Sequence, residues 1–174
     1  MMVGLANPIN TYDKTRHNIG SRCIQMFAKH YHQSLKEEKK FFGYTGLICI
    51  NNKKIRLFIP NTFMNISGKS IFSISSYYGI SLNEILVVHD ELDLLPGVVK
   101  FKHSLGHNGH NGLRNIINVF NKNKSFPRIA IGIGRPMKKI EVAYFVLSSP
   151  TREEDILINQ AIYKIINKIN QFID

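Results

Sequence analysis

The sequence has only two cysteines, and their positions exclude two common kinds of chemistry. Cys23 and Cys49 lie far apart and form no Cys-x-x-Cys pair, so the chain has neither a thioredoxin-like redox motif nor a cysteine-based zinc site. Hydrophobic periodicity places Cys23 on a helix and Cys49 in a strand-like run. We expect both residues to be buried thiols of the core.

Long apolar runs are also missing. No run approaches the about 20 residues that a membrane-spanning helix needs, and the N-terminus lacks the basic and apolar segments of a signal peptide. We therefore expect a cytoplasmic protein without membrane segments. The length of 174 residues, of which 44% are hydrophobic, suffices for one sizeable core and predicts a single domain over residues 1–174. Since no heptad repeat or long apolar edge is found, we expect a monomer.

Acidic residues are scarce relative to basic ones. The chain has 12 Asp and Glu against 23 Lys and Arg, which gives a net charge of +11 and a pI of about 9.7. AT-rich codon usage would also enrich Lys, Asn and Ile, and it explains part of this charge without a function. The remainder indicates a polyanionic partner such as nucleic acid.

Predicted strands and helices alternate along the chain. Hydrophobic periodicity predicts helices at residues 18–31, 67–78, 112–120 and 150–172, and strands at residues 3–6, 41–50, 53–59, 85–88, 98–102, 128–133 and 142–147. Asn51 and Asn52 predict a hairpin turn, and Ser149 and Pro150 predict the N-cap and first residue of the last helix. The pattern indicates an α/β protein, a single-domain three-layer α/β/α sandwich around a twisted mixed β-sheet.

Two polar residues stand where α/β proteins place their sites. Asp90 follows the apolar run at residues 85–88, at the C-terminal end of a predicted buried strand, and His17 stands at the start of a predicted helix. If the fold brings them together, the carboxylate holds one ring nitrogen and leaves the other free to take a proton from water. Without that contact, His17 is a capping or surface residue.

Two groups of residues resemble metal sites, but each has a simpler interpretation. The acids at positions 90, 91 and 93 resemble a cation-binding loop, although acids that end a buried strand are commonly just solvated. His103, His107 and His110 are interspersed with glycines and lack a nearby Cys or acid to complete a tetrahedral zinc site. A flexible loop around a substrate fits this segment better. We expect neither a metal nor a cofactor.

Basic residues fall at corresponding places on two predicted strands. Lys100 and Lys102 point to the same side of one strand because side chains alternate, and Arg128 and Arg135 stand at the ends of another. Together they form a candidate phosphate clamp. The alternative is scattered charge that keeps the protein soluble.

Several short motifs occur in an order typical of one family. They are Asn7-Pro8, Thr15-Arg16-His17-Asn18-Ile19-Gly20, Phe63-Met64-Asn65-Ile66-Ser67-Gly68, His89-Asp90-Glu91-Leu92-Asp93 and Gly109-His110-Asn111-Gly112. In this order they closely resemble the bacterial peptidyl-tRNA hydrolases, and the resemblance extends from near the N-terminus to about Leu147.

The resemblance implies an enzyme that cleaves the ester between a peptide and the 3′ ribose of tRNA. It assigns the catalytic base to His17, its support to Asp90, and the distinction between N-blocked and free aminoacyl-tRNA to Asn7. By position, Asn7 or Asn65 would steady the oxyanion. The implied contacts to peptide and tRNA are Tyr12, Phe63, Asn65 and Asn111, with Lys102 and Arg128 at the terminal phosphate of the tRNA.

The chain departs from the family pattern at three positions. Ile9 replaces the glycine usual after Asn-Pro, and Leu105 and Asn108 replace common glycines, which predicts a stiffer turn and a narrower cleft. Two other functions stay open on the sequence alone. One is a non-catalytic RNA-binding module in which His17 is a cap, and the other is a metal-dependent phosphoesterase acting on RNA.

Overall fold

One mixed β-sheet organises the fold. The computed structural model describes residues 1–104, 106–121 and 125–169. In that part of the chain the strands are β1 (Met2–Gly4), β2 (Lys36–Glu38), β3 (Gly43–Ile50), β4 (Lys53–Pro60), β5 (Leu86–Glu91), β6 (Val99–Ser104) and β7 (Phe126–Gly132). The helices are α1 (Ile9–Tyr12), α2 (Ile19–His30), α3 (Ser67–Tyr78), α4 (Asn111–Val119), α5 (Val142–Leu147) and α6 (Arg152–Lys168).

The sheet is parallel at its centre and antiparallel at both edges. Its strand order is β2-β3-β4-β1-β5-β7-β6. Strand β1 pairs in parallel with β4 and β5, and β5 pairs in parallel with β7. The β3–β4 hairpin and the edge strands β2 and β6 add antiparallel pairs. The prediction of a mixed sheet is therefore confirmed.

Helices cover both faces of the sheet. On one face, α2 and α6 pack their apolar side chains, among them Phe27 and Ile162, against Val88 and neighbouring strand residues. On the other face, α3 and α4 form a second core that includes Ile71 and Val87. This arrangement is the predicted α/β/α sandwich. None of the helices in the described residues is long and apolar enough to cross a membrane.

Turn chemistry explains why the hairpin and one helix end were predictable. Asn51 and Asn52 have positive φ values of 50° and 61°, as expected for a tight hairpin turn between two strands. Helix α3 ends at Gly79, whose φ of +66° is the left-handed conformation that suits glycine.

The structure corrects the prediction of a strand at residues 142–147. This segment is helix α5, and its side chains follow a helical period: Val142, Phe145 and Val146 pack inward while Tyr144 is 81% exposed. A short apolar run fits a strand and a buried helix equally well by pattern, so its tertiary contacts decide.

The start of the last helix also differs from the prediction. Thr151, rather than Ser149, is the N-cap of α6, because its side chain and that of Glu154 form a reciprocal capping box. The predicted end at residue 172 lies outside the described residues, as does Leu105. The short strand β2 was not predicted.

The prediction for Cys49 was wrong. This residue is exposed, whereas Cys23 is buried as expected. In β3 the neighbours Ile48 and Ile50 point into the core, so the alternation of the strand turns Cys49 outward.

Gly4 and Gly20 allow the backbones of β1, β5 and α2 to approach one another closely. A Cβ atom on Gly4 would lie 2.2 Å from the carbonyl oxygen of Gly20, and one on Gly20 would lie 2.5 Å from that of Val88. Strands β1 and β5 therefore contact the first turn of α2 directly. The loop after β1 is locked to the same place, because Asn7 and Asn18 exchange two hydrogen bonds of 2.9 Å.

We expect Gly4→Ala to lower the free energy of unfolding by about 1–3 kcal/mol or more, because the added methyl group meets backbone that cannot move aside. Urea denaturation measures the change. Gly106→Ala is the matched control, since a Cβ there would meet only Asn108 Oδ1 at 3.7 Å. Equal stability of the two variants would contradict the close contact.

Candidate active site

Three distant segments bring their polar side chains to one oxygen atom. His17 lies in a 3-10 turn (Arg16–Asn18) before α2, Asp90 near the end of β5, and His110 at the N-cap of α4. Asp90 Oδ1 lies 2.8 Å from His17 Nδ1 and 3.0 Å from His110 Nε2. All three side chains are almost fully buried. The fold therefore brings Asp90 to His17, which is the contact that a role of His17 as a base requires.

Backbone contacts determine which ring nitrogen carries the proton. His110 Nδ1 accepts hydrogen bonds from the N–H groups of Gly112 and Leu113 at 3.1 and 3.3 Å. The proton of neutral His110 is therefore on Nε2, which donates to Asp90. His17 donates to the same carboxylate oxygen through Nδ1, which leaves its Nε2 with a lone pair able to accept a proton.

Electrostatics favour a charged Asp90 and a basic His17. Burial alone would disfavour the carboxylate, but its electrostatic attraction to the N–H groups of His17 and His110 and their hydrogen bonds outweigh it and hold the pKa of Asp90 well below its usual range. Burial likewise disfavours a charged His17 ring. The Asp90 charge and hydrogen bond outweigh it, so the pKa of His17 is raised above its ordinary value.

His89 supports the cluster from behind and stays neutral. Its Nδ1 lies 2.7 Å from the carbonyl oxygen of Asp90, and its ring contacts that of His110 edge-on, with centroids 5.2 Å apart. Burial lowers the pKa of His89 to about 3. The ring therefore acts as an uncharged wall of the site.

Two adjoining cavities meet at His17. The first, of about 310 Å³, contains His17, Asp90 and His110 and extends to the predicted phosphate residues Lys102 and Arg128. The second has a volume of about 450 Å³. The predicted residues that line it are Asn7, Tyr12, Phe63, Asn65 and Asn111, again with His17. All nine predicted site residues thus line one or both cavities.

In the second cavity, Asn7 has a fixed orientation. Its Oδ1 accepts the N–H of Met64 at 2.9 Å, so the amide N–H₂ is the group left for a ligand. Phe63 and Asn65 are exposed at the opening. Asn111 is exposed as well, and its Oδ1 accepts from Arg114 at 2.7 Å.

Only two of the four basic residues of the candidate clamp reach the cavity. Lys102 and Arg128 are cross-strand partners, and Lys102 Nζ lies 2.7 Å from Glu91 Oε2. Arg128 is 2% exposed, donates to the carbonyl of Gly106, and has its pKa lowered to about 10 by burial. Arg135 instead pairs with Asp93, and neither it nor Lys100 lines the cavity.

The protonation of His110 opposes metal binding. The nearest ligand atoms of His17, Asp90 and His110 lie within 4.8 Å of one another, close enough to suggest a metal site. A neutral histidine ligand must offer a lone pair to the metal and usually donates its other N–H. His110 does the reverse, because its Nδ1 accepts two backbone N–H groups and its Nε2 carries the proton. The three residues therefore suit a hydrogen-bonded acid–base group better than a metal.

A family model described as peptidyl-tRNA hydrolase matches residues 1–174. The chain belongs to the peptidyl-tRNA hydrolase family. It is 54% identical over 168 residues to the peptidyl-tRNA hydrolase of Buchnera aphidicola subsp. Acyrthosiphon pisum (strain 5A), covering 97% of this chain and 95% of that protein. Identity to the protein of that name from Pectobacterium atrosepticum is 50% over 162 residues, or 93% of this chain and 83% of that one.

A solved structure agrees. The crystal structure of peptidyl-tRNA hydrolase from Acinetobacter baumannii matches with a TM-score of 0.92 at 40% identity, covering 97% of this chain and 85% of that one. The resemblance predicted from the motifs is confirmed. Hydrolysis of peptidyl-tRNA is the function of this family, so a non-catalytic RNA-binding module is not favoured.

His110 is not among the site residues predicted from the sequence. The segment that contains it was interpreted as a flexible loop around a substrate in preference to a zinc site, and as part of a family motif. The available signal was its place in Gly109-His110-Asn111-Gly112, directly before a predicted helix. A histidine at an N-cap position is unusual, because Ser, Thr, Asp and Asn are the common caps.

Replacing His110 separates capping from chemistry. We expect His110→Ala to lower the free energy of unfolding by about 0.5–2 kcal/mol through loss of the N-cap. Asparagine is a good N-cap but is too short to keep the bond to Asp90, so His110→Asn should recover the capping part of that loss in stability and still lose peptidyl-tRNA hydrolysis. Chemical denaturation and cleavage of N-acetyl-aminoacyl-tRNA measure the two effects. Full activity in His110→Asn would show that the ring only caps α4.

Proposed function

We propose that this chain hydrolyses the ester between the peptide and the 3′ ribose of peptidyl-tRNA, with His17 as the general base. The observation that carries the proposal is the bond between His17 Nδ1 and Asp90 Oδ1, which leaves Nε2 as the proton acceptor of a side chain that lines both cavities. Asp90 holds the ring in the productive tautomer and stabilises the imidazolium that forms. Both are positioned by rigid elements, the turn before α2 and the end of β5.

The reaction needs water and no covalent intermediate. His17 Nε2 takes a proton from a water molecule as its oxygen attacks the ester carbonyl. The resulting oxyanion collapses and expels the ribose oxygen, which receives the proton from His17. Esters suit this mechanism because a ribose hydroxyl leaves far more readily than an amine.

Asn7 is our candidate for recognising the peptide. Its N–H₂ group is directed by the Met64 hydrogen bond and can donate to the carbonyl of an N-blocked aminoacyl group or to the oxyanion. Asn65 is a second donor at the opening. Tyr12, Phe63 and Asn111 line the same cavity and supply further substrate contacts.

The first cavity is our candidate for the terminal phosphate of the tRNA. Lys102 and Arg128 provide positive charge there, and Lys102 would exchange Glu91 for a phosphate oxygen on binding. The net charge of +11 favours approach of the polyanion over a longer range. We further propose that the protein acts as a cytoplasmic monomer, as one domain over residues 1–174, and without a metal.

The pH dependence of the rate tests the role of His17. Only neutral His17 accepts a proton, so the rate should rise with pH and level off above a midpoint higher than the ordinary value of about 6.5. Asp90→Asn removes the charge that favours imidazolium, so the midpoint should fall together with the rate. His17→Ala should lower kcat by about 10²- to 10⁴-fold while the protein stays folded.

Rates are measured on N-acetyl-aminoacyl-tRNA in excess chelator. An unchanged midpoint in Asp90→Asn would refute the pairing as a catalytic feature. Loss of wild-type turnover in chelator would contradict catalysis without a metal, and tRNA binding without cleavage would indicate the RNA-binding module.

The role of Asn7 is tested by selectivity rather than by rate. We expect Asn7→Ala to erode the ratio of kcat/KM between N-acetylated and free aminoacyl-tRNA, because the donor to the blocked group is lost. Asn18→Ala is the control, since it disturbs the same loop without removing that donor. If Asn7→Ala loses activity at an unchanged ratio, Asn7 is structural.

A further inference from the structure

The side chain of Arg16, directly before His17, is buried and reaches the far end of α5. Its Nη1 lies 2.7 Å from both Ser148 Oγ and the carbonyl oxygen of Ser149. Its Nη2 forms an ion pair of 2.6 Å with Glu154 Oε2. The guanidinium also lies over the ring of Phe145, 4.2 Å from its centroid. None of these contacts is needed for the acid–base chemistry described above.

Helix α5 depends on such support. It has only six residues, and isolated helices shorter than about 12–15 residues are marginal in water. The carbonyl groups at its C-terminal end have no partner within the helix and carry the negative end of its dipole. Arg16 places a cation there, and its backbone N–H also donates to the carbonyl of Ser148 at 3.0 Å.

The same helix forms a wall shared by both cavities. Ala143 and Val146 line the first and the second cavity, Val142 lines the first, and Leu147 lines the second. Helix α5 packs on the 3-10 turn that carries His17, and its Val142, Phe145 and Val146 also pack against the core. Arg16 therefore connects the turn that carries His17 to the C-terminal end of this wall.

We propose that Arg16 is a positioning residue that fixes α5 against the turn of His17 and so sets the width of the substrate cleft. The proposal rests on the proposed function, since it names a determinant of substrate binding at the same site. A loosened α5 would weaken the grip on the substrate. The bond between His17 and Asp90 would be untouched, so KM should change more than kcat and the pH midpoint should stay the same.

The matched control is Arg22, which makes a similar connection elsewhere. Arg22 on α2 pairs with Asp155 at 2.6 Å and with Asn159 at 2.7 Å, both on α6, and it lines neither cavity. Helix α6 also carries Glu154, the partner of Arg16. Arg22→Gln therefore removes a link to α6 and leaves the contacts of α5 in place. The test variants are Arg16→Gln and the milder Ser148→Ala, which serves if Arg16→Gln does not fold. Ser148→Ala keeps the ion pair to Glu154 and removes the Nη1–Oγ hydrogen bond, together with the 2.8 Å bond from Ser148 Oγ to the carbonyl oxygen of Phe145.

Two measurements are made below the melting temperature of every variant. The first is steady-state cleavage of N-acetyl-aminoacyl-tRNA. We expect KM to rise about tenfold in Arg16→Gln, which is within the usual range for coupled sites. KM should rise less in Ser148→Ala and stay unchanged in Arg22→Gln. Limited chymotrypsin digestion should show faster cleavage at Phe145 in the same order, because cutting there requires α5 to open.

The outcomes separate this proposal from the proposed function. If Arg16→Gln matches Arg22→Gln in both measurements, or if chymotrypsin cleavage rises while KM does not, the positioning role is refuted. If the wild-type protein does not cleave the substrate, the proposed function fails and the proposal that depends on it falls as well, although the digestion still reports whether Arg16 holds α5.

Discussion

The site depends on one oxygen atom that accepts two imidazole N–H groups. Asp90 Oδ1 bonds His17 on one side and His110 on the other, and the carboxylate is 4% exposed. A buried charge is costly unless it is hydrogen-bonded, and the hydrogen bonds from both rings help to keep Asp90 ionised. In return, the carboxylate orients both rings and makes His17 a stronger base. Asp90 and His17 therefore each favour the charged form of the other.

Backbone packing next to the site fixes the position of His17 relative to Asp90. Because Gly4 and Gly20 lack side chains, the first turn of α2 lies directly on β1 and β5, and His17 is carried to the end of the strand that bears Asp90. The exchange of hydrogen bonds between Asn7 and Asn18 fixes the first loop to the same turn. Catalytic geometry thus follows from backbone contacts that tolerate no added atom.

Features of the fold and site that depend on neighbouring residues could be predicted from the sequence, whereas features that depend on distant residues could not. Asp90 was predictable because the apolar run of a buried strand stops directly before it. The hairpin was predictable because Asn51 and Asn52 favour a tight turn. Residues 142–147 were misassigned because a short apolar run carries no period of its own. The contacts of Arg16 were invisible, since its partner Glu154 lies 138 positions further along the chain. Likewise, the burial of Arg128 follows from a cross-strand partner and a loop carbonyl, which composition does not reveal.

The charges at the site are balanced locally, although the chain as a whole is strongly basic. Asp90 and Glu91 face Lys102 and Arg128, and Lys139 is a further cation lining the first cavity. The net charge of +11 therefore resides mainly outside the site and acts on the polyanion at a distance. Recognition of the substrate within the cleft must therefore depend on hydrogen bonds from oriented side chains and on the shape of the cleft. This division explains why an excess of lysine identified the class of partner but not the residues that recognise it.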